Sequence, residues 1–203
     1  MSEVAQTVTS PTGKVLHHRS SHKTTPKESA EAKAIRIKTA QAERLARNKK
    51  SLEHKNVKAF LLAIAEAEGG GYDFKYGAIK GKKNDPWRFT DFSTHPGAGY
   101  GGSTTASGMY QITKDTWKDH GTNAMGLTDF SPETQDLIAV DMLDSMGALD
   151  KIKDGDVPGA MPMASRKWAA LPQGPGLANR YNQPYMKYEK FIEYYKGFGG
   201  ETK

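Results

Sequence analysis

The sequence has no cysteine, and this absence removes several kinds of site at once. A chain without cysteine forms no disulfide, has no thiol nucleophile and holds no metal through thiolates. Long apolar runs are also missing, because the longest, residues 59–65, is far short of the ~20 residues that a membrane-spanning helix needs. Residues 1–18 lack the apolar core of a signal peptide. We therefore expect no transmembrane segment, and no motif indicates a metal ion or another cofactor.

Aromatic residues are absent from the first 58 positions, although the chain contains three Trp, nine Tyr and seven Phe. Charge divides at the same place. Residues 1–58 contain 13 Lys and Arg and 5 Asp and Glu, a net charge of +8, whereas residues 59–203 contain 16 and 18, a net charge of −2. A basic segment with so few apolar residues cannot build its own core. We predict a basic extension, residues 1–56, followed by a domain, residues 57–203.

The extension itself has two parts. Residues 1–24 are rich in Ser, Thr, Lys and His, and we expect them to be extended or disordered. Residues 25–50 are predicted to form a helix, because a capping box with proline at the first helical position precedes a run of good helix formers. The thin apolar stripe of this helix gives it little reason to pack on its own domain. Without interleaved aromatics the extension is not suited to base stacking, so no specific nucleic-acid partner is expected.

Glu68 is the most informative residue of the domain. It follows an apolar run and precedes three glycines. At helical spacing it shares one face with the apolar residues Phe60, Leu61, Ile64 and Ala65. Burial and the negative end of the helix dipole both raise the pKa of a carboxyl group placed there. A carboxyl group that is protonated near neutral pH can act as the general acid of glycosidic bond cleavage. The alternative is that Glu68 ends the helix with its side chain directed into solvent.

The rest of the domain is predicted to be mostly helical, with one small β element. Two strand-like runs, residues 76–79 and 87–91, flank a Gly- and Lys-rich turn and predict a β-hairpin lip. Helices are expected from Asn56 as cap to Glu68, and over residues 107–118, 131–145, 159–170 and 185–196. The predicted fold class is therefore α+β, mostly α: a helical domain with one small β-hairpin lip.

Five sequence blocks, in order, carry a resemblance to a known family. They are AFLLAIAEAEG, FTDFSTHP, SGMYQI, LTDFSPETQD and WAALP, spread over residues 57–200. Each block is weak alone, but the ordered set is specific. This part of the chain resembles the lambda-type phage endolysins, lytic transglycosylases of the lysozyme superfamily. Residues 1–56 have no counterpart in that family.

The resemblance implies a lytic murein transglycosylase, with Glu68 as its catalytic acid. Such enzymes cleave the β-1,4 bond between N-acetylmuramic acid and N-acetylglucosamine in peptidoglycan without water, and leave a 1,6-anhydro ring. A single acid is sufficient for this chemistry, whereas a muramidase acting as a hydrolase needs a second carboxylate. Asp91, in the predicted lip, is the best candidate for that second carboxylate, although a turn residue is the simpler interpretation.

The same resemblance suggests further residues at the site. Ser107, Gly108, Tyr110 and Gln111 belong to the block that lines the family's site, and we expect them to bind substrate. Packing at the start of a helix is the alternative for these four residues. His95 is either a base or a structural lip residue, and Tyr181 either contacts a sugar or packs in the core or a loop.

The biological role is predicted from the extension. We expect a phage enzyme carried in the virion, in the tail or internally, and delivered to the host periplasm for wall penetration. Its partners would then be peptidoglycan glycan strands and other virion proteins, the latter through residues 1–56. One alternative is a free endolysin that waits in the host cytoplasm for a holin. Another is a virion structural protein that binds the wall and has weak catalysis or none.

Overall fold

The computed structural model describes residues 28–203, so the predictions for residues 1–24 and 25–27 lie outside the described residues. The chain divides into two compact units, Met1–Ile35 and Arg36–Lys203. The described part is mostly helical, as the sequence predicts. Its helices are α1 (Ala30–Leu52), α2 (Lys55–Glu68), α3 (Lys114–Thr116), α4 (Pro132–Ser145), α5 (Leu149–Lys153), α6 (Val157–Ala164) and α7 (Tyr188–Gly197). A short 3₁₀ turn covers Tyr100–Gly102, and a π-helix, Trp117–Asn123, continues α3.

Helix α2 lies at the centre of the hydrophobic core. Its residues Phe60 and Ile64 are fully buried, and it packs against α4, α5 and α7. The ring of Phe60 meets Phe191 and Tyr195 of α7 edge-on, with ring centroids 5.0 and 6.3 Å apart. Edge-to-face pairs of this kind are a favoured aromatic geometry. Because α2 is held by three other helices, the position of its last turn is well determined.

The observed helix boundaries match the predicted ones where the capping residue lies next to the helix in sequence. Helix α4 begins as predicted, because the Ser131 hydroxyl accepts the N–H of Thr134 at 3.3 Å. Helix α2 is capped differently: His54 Nδ1 accepts the N–H of Asn56 at 3.3 Å, so the prediction of Asn56 as cap is wrong. The Asn56 side chain is buried and instead donates to the carbonyl of Lys153. Helix α6 is shorter than the predicted 159–170, and α7 begins three residues later than predicted.

The predicted β-hairpin lip is not confirmed, since no β-strand forms within residues 28–203. Near the two predicted runs there is one isolated antiparallel bridge, between Phe74, which precedes the first run, and Arg88 in the second. The intervening loop is organised by Asp85, whose two carboxylate oxygens accept the N–H groups of Ile79 and Trp87, both at 2.9 Å. These backbone donors are therefore occupied by a side chain rather than by a strand partner, which ends the pairing after one bridge.

A helix starting at Ser107 is also not observed. Ser107 pairs with Ile112 in an isolated bridge, and the chain between them forms a tight turn in which Gly108 and Gln111 have positive φ. The helix begins only at Lys114, after Thr113, whose hydroxyl accepts the N–H of Thr116 at 3.3 Å. Gly and Thr supply a turn and a cap here, although the apolar pattern of the segment suggests one continuous helix.

Helix α1 packs on the domain more closely than its thin apolar stripe suggests. Asn48 is almost fully buried and donates to Asp141 Oδ1 at 2.8 Å, and Arg44 Nη2 donates to Asp141 Oδ2 at 2.9 Å. The amide of Gln41 donates to the carbonyls of Thr122 and Asn123, both at 3.1 Å. The expectation that this helix has little reason to pack is therefore wrong, because polar side chains make the attachment.

Candidate functional site

Glu68 is the last residue of α2, and the structure shows why the helix stops there. Gly69 follows in the left-handed conformation, with φ of 64°, which closes the helix at little cost only when no Cβ is present. The turn of α2 before Glu68 is buried in the core through Ile64 and Ala65. The Glu68 carboxyl therefore emerges at the edge of the core rather than in open solvent.

The surroundings of Glu68 favour its protonated form. The backbone N–H of Ala170 donates a hydrogen bond to Glu68 Oε1, at 3.3 Å. Burial raises the pKa of Glu68 to about 7, and the hydrogen bond from Ala170 offsets only part of this effect. The direction is the one that the position of Glu68 on the apolar face predicts. Near neutral pH the group is therefore able both to give up and to accept a proton.

Glu68 opens into a cavity of about 520 Å³. Five stretches of the chain line it: the end of α2, residues 74–78, residues 104–111, residues 167–169 and Gln183. Among the described residues that line this cavity, Glu68 is the one carboxylate, while Thr104, Gln111 and Gln183 contribute uncharged polar groups. A cavity of this size with a few convergent polar groups and a perturbed carboxyl has the features of a ligand-binding site.

Gln111 is the only other predicted site residue that lines the cavity. Its backbone has φ of 50°, and its side-chain amide donates to the carbonyl of Gly108 at 3.1 Å. Gly108 is itself buried with φ of 79°, and a Cβ there would lie 2.1 Å from Gln135 Oε1. The glycine is thus needed for close approach of the Gln135 side chain, and a contact between Gly108 and substrate stays a prediction.

Ser107 and Tyr110 are buried behind the cavity wall. The Ser107 hydroxyl donates to the carbonyl of Thr105 at 3.1 Å. The Tyr110 hydroxyl donates to Asp136 Oδ1 at 2.7 Å, and Tyr72 donates to the same oxygen at 2.9 Å. Both side chains therefore have hydrogen-bond partners within the protein, and no helix starts at this segment; substrate binding by these two residues stays a prediction.

The three remaining predicted residues do not line the cavity either. Asp91 is exposed and accepts the N–H of Ser93 at 2.9 Å; hydrogen bonds from Ser93 lower the pKa of Asp91. His95 is buried, with Nδ1 accepting the N–H of Gly97 and Nε2 3.0 Å from the carbonyl of Ile112. Burial lowers the pKa of His95, which suits a neutral ring with a structural role. Tyr181 is about half exposed, and its hydroxyl donates to the carbonyl of Arg166 at 2.8 Å.

Several residues that line the cavity could not be predicted from the sequence. Lys75, Tyr76 and Lys167 line the cavity, and no motif marks any of them. Tyr76 is 46% exposed, and nearby Tyr100 stacks edge-on against Trp87 with ring centroids 5.7 Å apart. The Gly- and aromatic-rich composition of residues 69–105 was the available signal, but it does not say which side chains face Glu68.

Within residues 28–203, no cluster of three or more His, Asp and Glu side chains has the arrangement of a metal site. The helices of this same part of the chain include none that is long and apolar enough to cross a membrane.

Comparison with known proteins identifies the family of the domain. The family model described as Endolysin matches residues 58–202. The endolysin of Escherichia phage P2 is 34% identical over 165 residues, which covers 72% of this chain and 94% of the relative. The endolysin of Escherichia phage lambda is 33% identical over 160 residues, which covers 72% and 92%.

Solved structures agree with the sequence match. Bacteriophage lambda lysozyme in complex with a chitohexasaccharide superposes with a TM-score of 0.62 at 32% identity, covering 73% of this chain and 97% of the lysozyme. A second structure, of lysozyme from bacteriophage lambda, gives a TM-score of 0.58 at 31% identity over the same shares. The chain therefore belongs to the endolysin family, and its domain is a lambda endolysin-like member of the lysozyme superfamily.

Proposed function

We propose that this protein is a phage enzyme that cleaves the glycan strands of peptidoglycan, with Glu68 as its acid. The observation that carries the proposal is the Glu68 carboxyl, whose pKa is raised to about 7 where it faces a cavity. An acid of this pKa is protonated in a substantial fraction of molecules at neutral pH. The match to phage endolysins supports a wall substrate, and the neighbour that holds a chitohexasaccharide supports a glycan.

The reaction we favour is the lytic transglycosylase reaction. Glu68 gives its proton to the oxygen between N-acetylmuramic acid and N-acetylglucosamine, and the bond from that oxygen to muramic C1 breaks. The muramic C6 hydroxyl oxygen bonds to C1, and its proton returns to Glu68. The products are a 1,6-anhydromuramic end and a free N-acetylglucosamine 4-hydroxyl, with no water consumed. One group that alternates between acid and base is sufficient for both proton transfers.

The absence of a second carboxylate from the described cavity lining supports this choice over hydrolysis. A retaining glycosidase needs its second carboxyl ~5–5.5 Å from the first, and an inverting one needs it ~6.5–9.5 Å away. Asp91, the candidate for that role, is exposed and does not line the cavity. A substrate hydroxyl as nucleophile removes the need for such a group.

The test is the mass of the muropeptides released from purified peptidoglycan. We expect anhydromuropeptides, which are one water lighter than hydrolytic products, and no release by Glu68→Gln. Glu66→Gln is a matched control, because Glu66 lies on the same helix, is partly exposed and pairs with Lys80 at 3.6 Å. Reducing-end products would make the enzyme a muramidase. Wall binding without release by the unmodified protein would favour the structural-protein alternative.

We further propose that the enzyme travels in the virion and acts at wall penetration. The basic residues 1–56 are extra to the region matched by the family model, which begins at residue 58. Within the described part of this segment, Ile35 and Ile37 are 60% and 42% exposed on α1. Exposed apolar residues on a basic helix suit contact with other virion proteins through residues 1–56.

Mass spectrometry of washed particles tests this location. Stoichiometric presence of the chain in purified virions is the expected result. Absence from virions, with high abundance in the cytoplasm of late-infected cells, would instead assign it to holin-dependent release as a free endolysin.

A further inference from the structure

Two lysines from distant parts of the sequence line the cavity that contains Glu68. Lys75 comes from the segment that follows buried Phe74, and it is half-buried. Lys167 comes from the turn after α6, and it is exposed. The fold therefore brings two cations to one cavity from positions 92 residues apart in the chain.

Neither lysine has an ion-pair partner among the described residues. Nearby lysines differ in this respect, since Lys80 pairs with Glu66 at 3.6 Å and Lys82 pairs with Asp85 at 4.0 Å. The cavity carboxyl is not their partner either, because burial and the Ala170 hydrogen bond account for the shifted pKa of Glu68 without a contribution from a lysine. With Glu68 protonated, the charged groups in the described lining are both positive.

A cavity of this charge suits a sugar chain that carries anions. Thr104, Gln111 and Gln183 provide uncharged hydrogen-bonding groups that serve for any N-acetylated hexosamine. Such groups do not distinguish N-acetylglucosamine from N-acetylmuramic acid. The chemical difference between the two sugars is the lactyl ether of muramic acid, which ends in a carboxyl group that is either free or joined to a peptide bearing its own carboxylates. An ammonium on a flexible four-carbon stem can reach a carboxylate outside the sugar ring.

We propose that Lys75 and Lys167 bind a carboxylate on the lactyl arm of N-acetylmuramic acid, either the lactyl group's own or one on the attached peptide. This inference rests on the peptidoglycan activity proposed above and gives it a source of selectivity. The two lysines draw muramic-acid strands into the cavity in preference to neutral β-1,4 N-acetylglucosamine chains.

The experiment measures binding by the full chain carrying Glu68→Gln, so that substrate is not consumed. Three tetrasaccharide probes are compared: a GlcNAc–MurNAc repeat with stem peptides, the same repeat with peptides removed to free the lactyl carboxylates, and chitotetraose. Each probe is titrated against three proteins, all of which carry Glu68→Gln. The first, called the background protein, has no other change; the second adds both Lys75→Gln and Lys167→Gln; the third adds Lys118→Gln as a control. Lys118 is exposed, lies on the π-helix outside the cavity and has no ion-pair partner among the described residues.

We expect the double lysine variant to lose about tenfold in affinity for a muramic probe, the combined size of two partly exposed ion pairs. Its affinity for chitotetraose should equal that of the background protein. The Lys118→Gln control should bind all three probes as tightly as the background protein does. Added salt should weaken muramic binding by the background protein more than by the double variant, since screening acts on the charges that the variant lacks. Loss confined to the peptide-bearing probe assigns the anion to the peptide, and loss confined to the denuded probe assigns it to the lactyl group.

Two results would overturn the inference. One is an equal loss of affinity for chitotetraose, which would mean that the lysines hold the cavity or contact the sugar itself. The other is unchanged affinity for both muramic probes in the double variant. Failure of the proposed function is separate, because it shows as intact muramic binding with no release of muropeptides by the protein with Glu68 restored.

Discussion

At Glu68, burial and hydrogen bonding act on the same carboxyl group in opposite directions. Burial disfavours the anion, while the N–H of Ala170 stabilises it, and burial is the larger effect. The protein therefore holds an acid in its folded state that the unfolded chain would ionise at neutral pH. The raised pKa of Glu68 is gained at the expense of stability, a balance often found at catalytic sites.

A stability measurement on Glu68→Gln follows from this balance. Since the folded pKa of about 7 lies above the ordinary value of 4.5, the folded state holds more protons than the unfolded state between these pH values. Stability therefore falls as pH rises through this window, by about 3 kcal/mol at most. We expect Glu68→Gln to melt at a higher temperature than the unmodified protein at pH 8 and at nearly the same temperature at pH 4. Equal melting temperatures at pH 8 would contradict the buried-acid account.

Gln111 and Tyr110 are adjacent in sequence but have different surroundings, and substitutions should separate their roles. Gln111→Asn shortens a cavity side chain, so we expect a higher KM; because Asn tolerates positive φ, the stability loss is limited to the hydrogen bond to Gly108, about 1 kcal/mol. Tyr110→Phe removes the hydrogen bond to Asp136, so we expect a loss of about 1 kcal/mol in unfolding free energy with an unchanged KM. Steady-state kinetics and thermal melts of the two variants measure these effects. A raised KM for Tyr110→Phe would contradict the structural role and indicate that Tyr110 contacts substrate.

At the scale of elements, one buried carboxylate is the centre of the polar contacts that attach α1 to the domain. Asp141 is fully buried, and Arg44, Asn48 and His120 surround it, with His120 Nδ1 2.7 Å from Oδ2. Burial alone would raise the pKa of Asp141, but the hydrogen bonds from His120, Arg44 and Asn48, together with the charge of Arg44, hold it below its ordinary value. Two of the three partners come from α1.

Deleting residues 1–51 should therefore destabilise the domain, because Asp141 would lose the hydrogen bonds of Arg44 and Asn48 and the helix that covers this side of it. We expect a loss of about 3 kcal/mol in unfolding free energy at neutral pH, the lower end of the cost of breaking a buried charge pair, because Asp141 is less buried once α1 is removed. Deleting only residues 1–35 keeps both partners and serves as the control. The difference between the two chains should shrink as acid protonates Asp141, since a lowered folded pKa gives stability only while the group is ionised.

A second control locates the effect at the carboxylate. Adding Asp141→Asn to the chain that lacks residues 1–51 should recover part of the lost stability, because no unpaired charge then remains buried. Chemical denaturation of these three chains and of the full protein measures the differences. If the chain without residues 1–51 were as stable as the full protein, α1 would contribute nothing through Asp141.

The elements also show what local sequence signals reveal and what they leave out. Helices α2 and α4 were predictable, because an apolar stripe and a Ser-Pro start are local signals. The β-hairpin lip was not confirmed, because Asp85 caps two backbone N–H groups where propensity suggested a strand pair. The packing of α1 was missed because Arg44 and its partner Asp141 are 97 residues apart.

At the scale of the whole molecule, the fold assembles the candidate site from residues that are far apart in the sequence. Glu68, Lys75, Gln111, Lys167 and Gln183 line one cavity, although 115 positions separate the first from the last. The sequence was sufficient to predict that Glu68 ends a helix at the edge of the core, because its apolar face and the glycine that follows are both local signals. It was not sufficient to separate Gln111 from buried Ser107 and Tyr110, since a turn at Gly108 decides which of them meets the cavity.

The central claim is that Glu68 is an acid kept protonated near neutral pH by its place in the fold. The most direct measurement is an NMR titration of the Glu68 side-chain carboxyl carbon in the full protein, with Glu68→Gln used to assign the resonance. The account predicts a midpoint near the value of about 7 that burial gives this carboxyl. A midpoint at the ordinary value of 4.5 or below would contradict it, and would leave the cavity without the acid that the proposed cleavage requires.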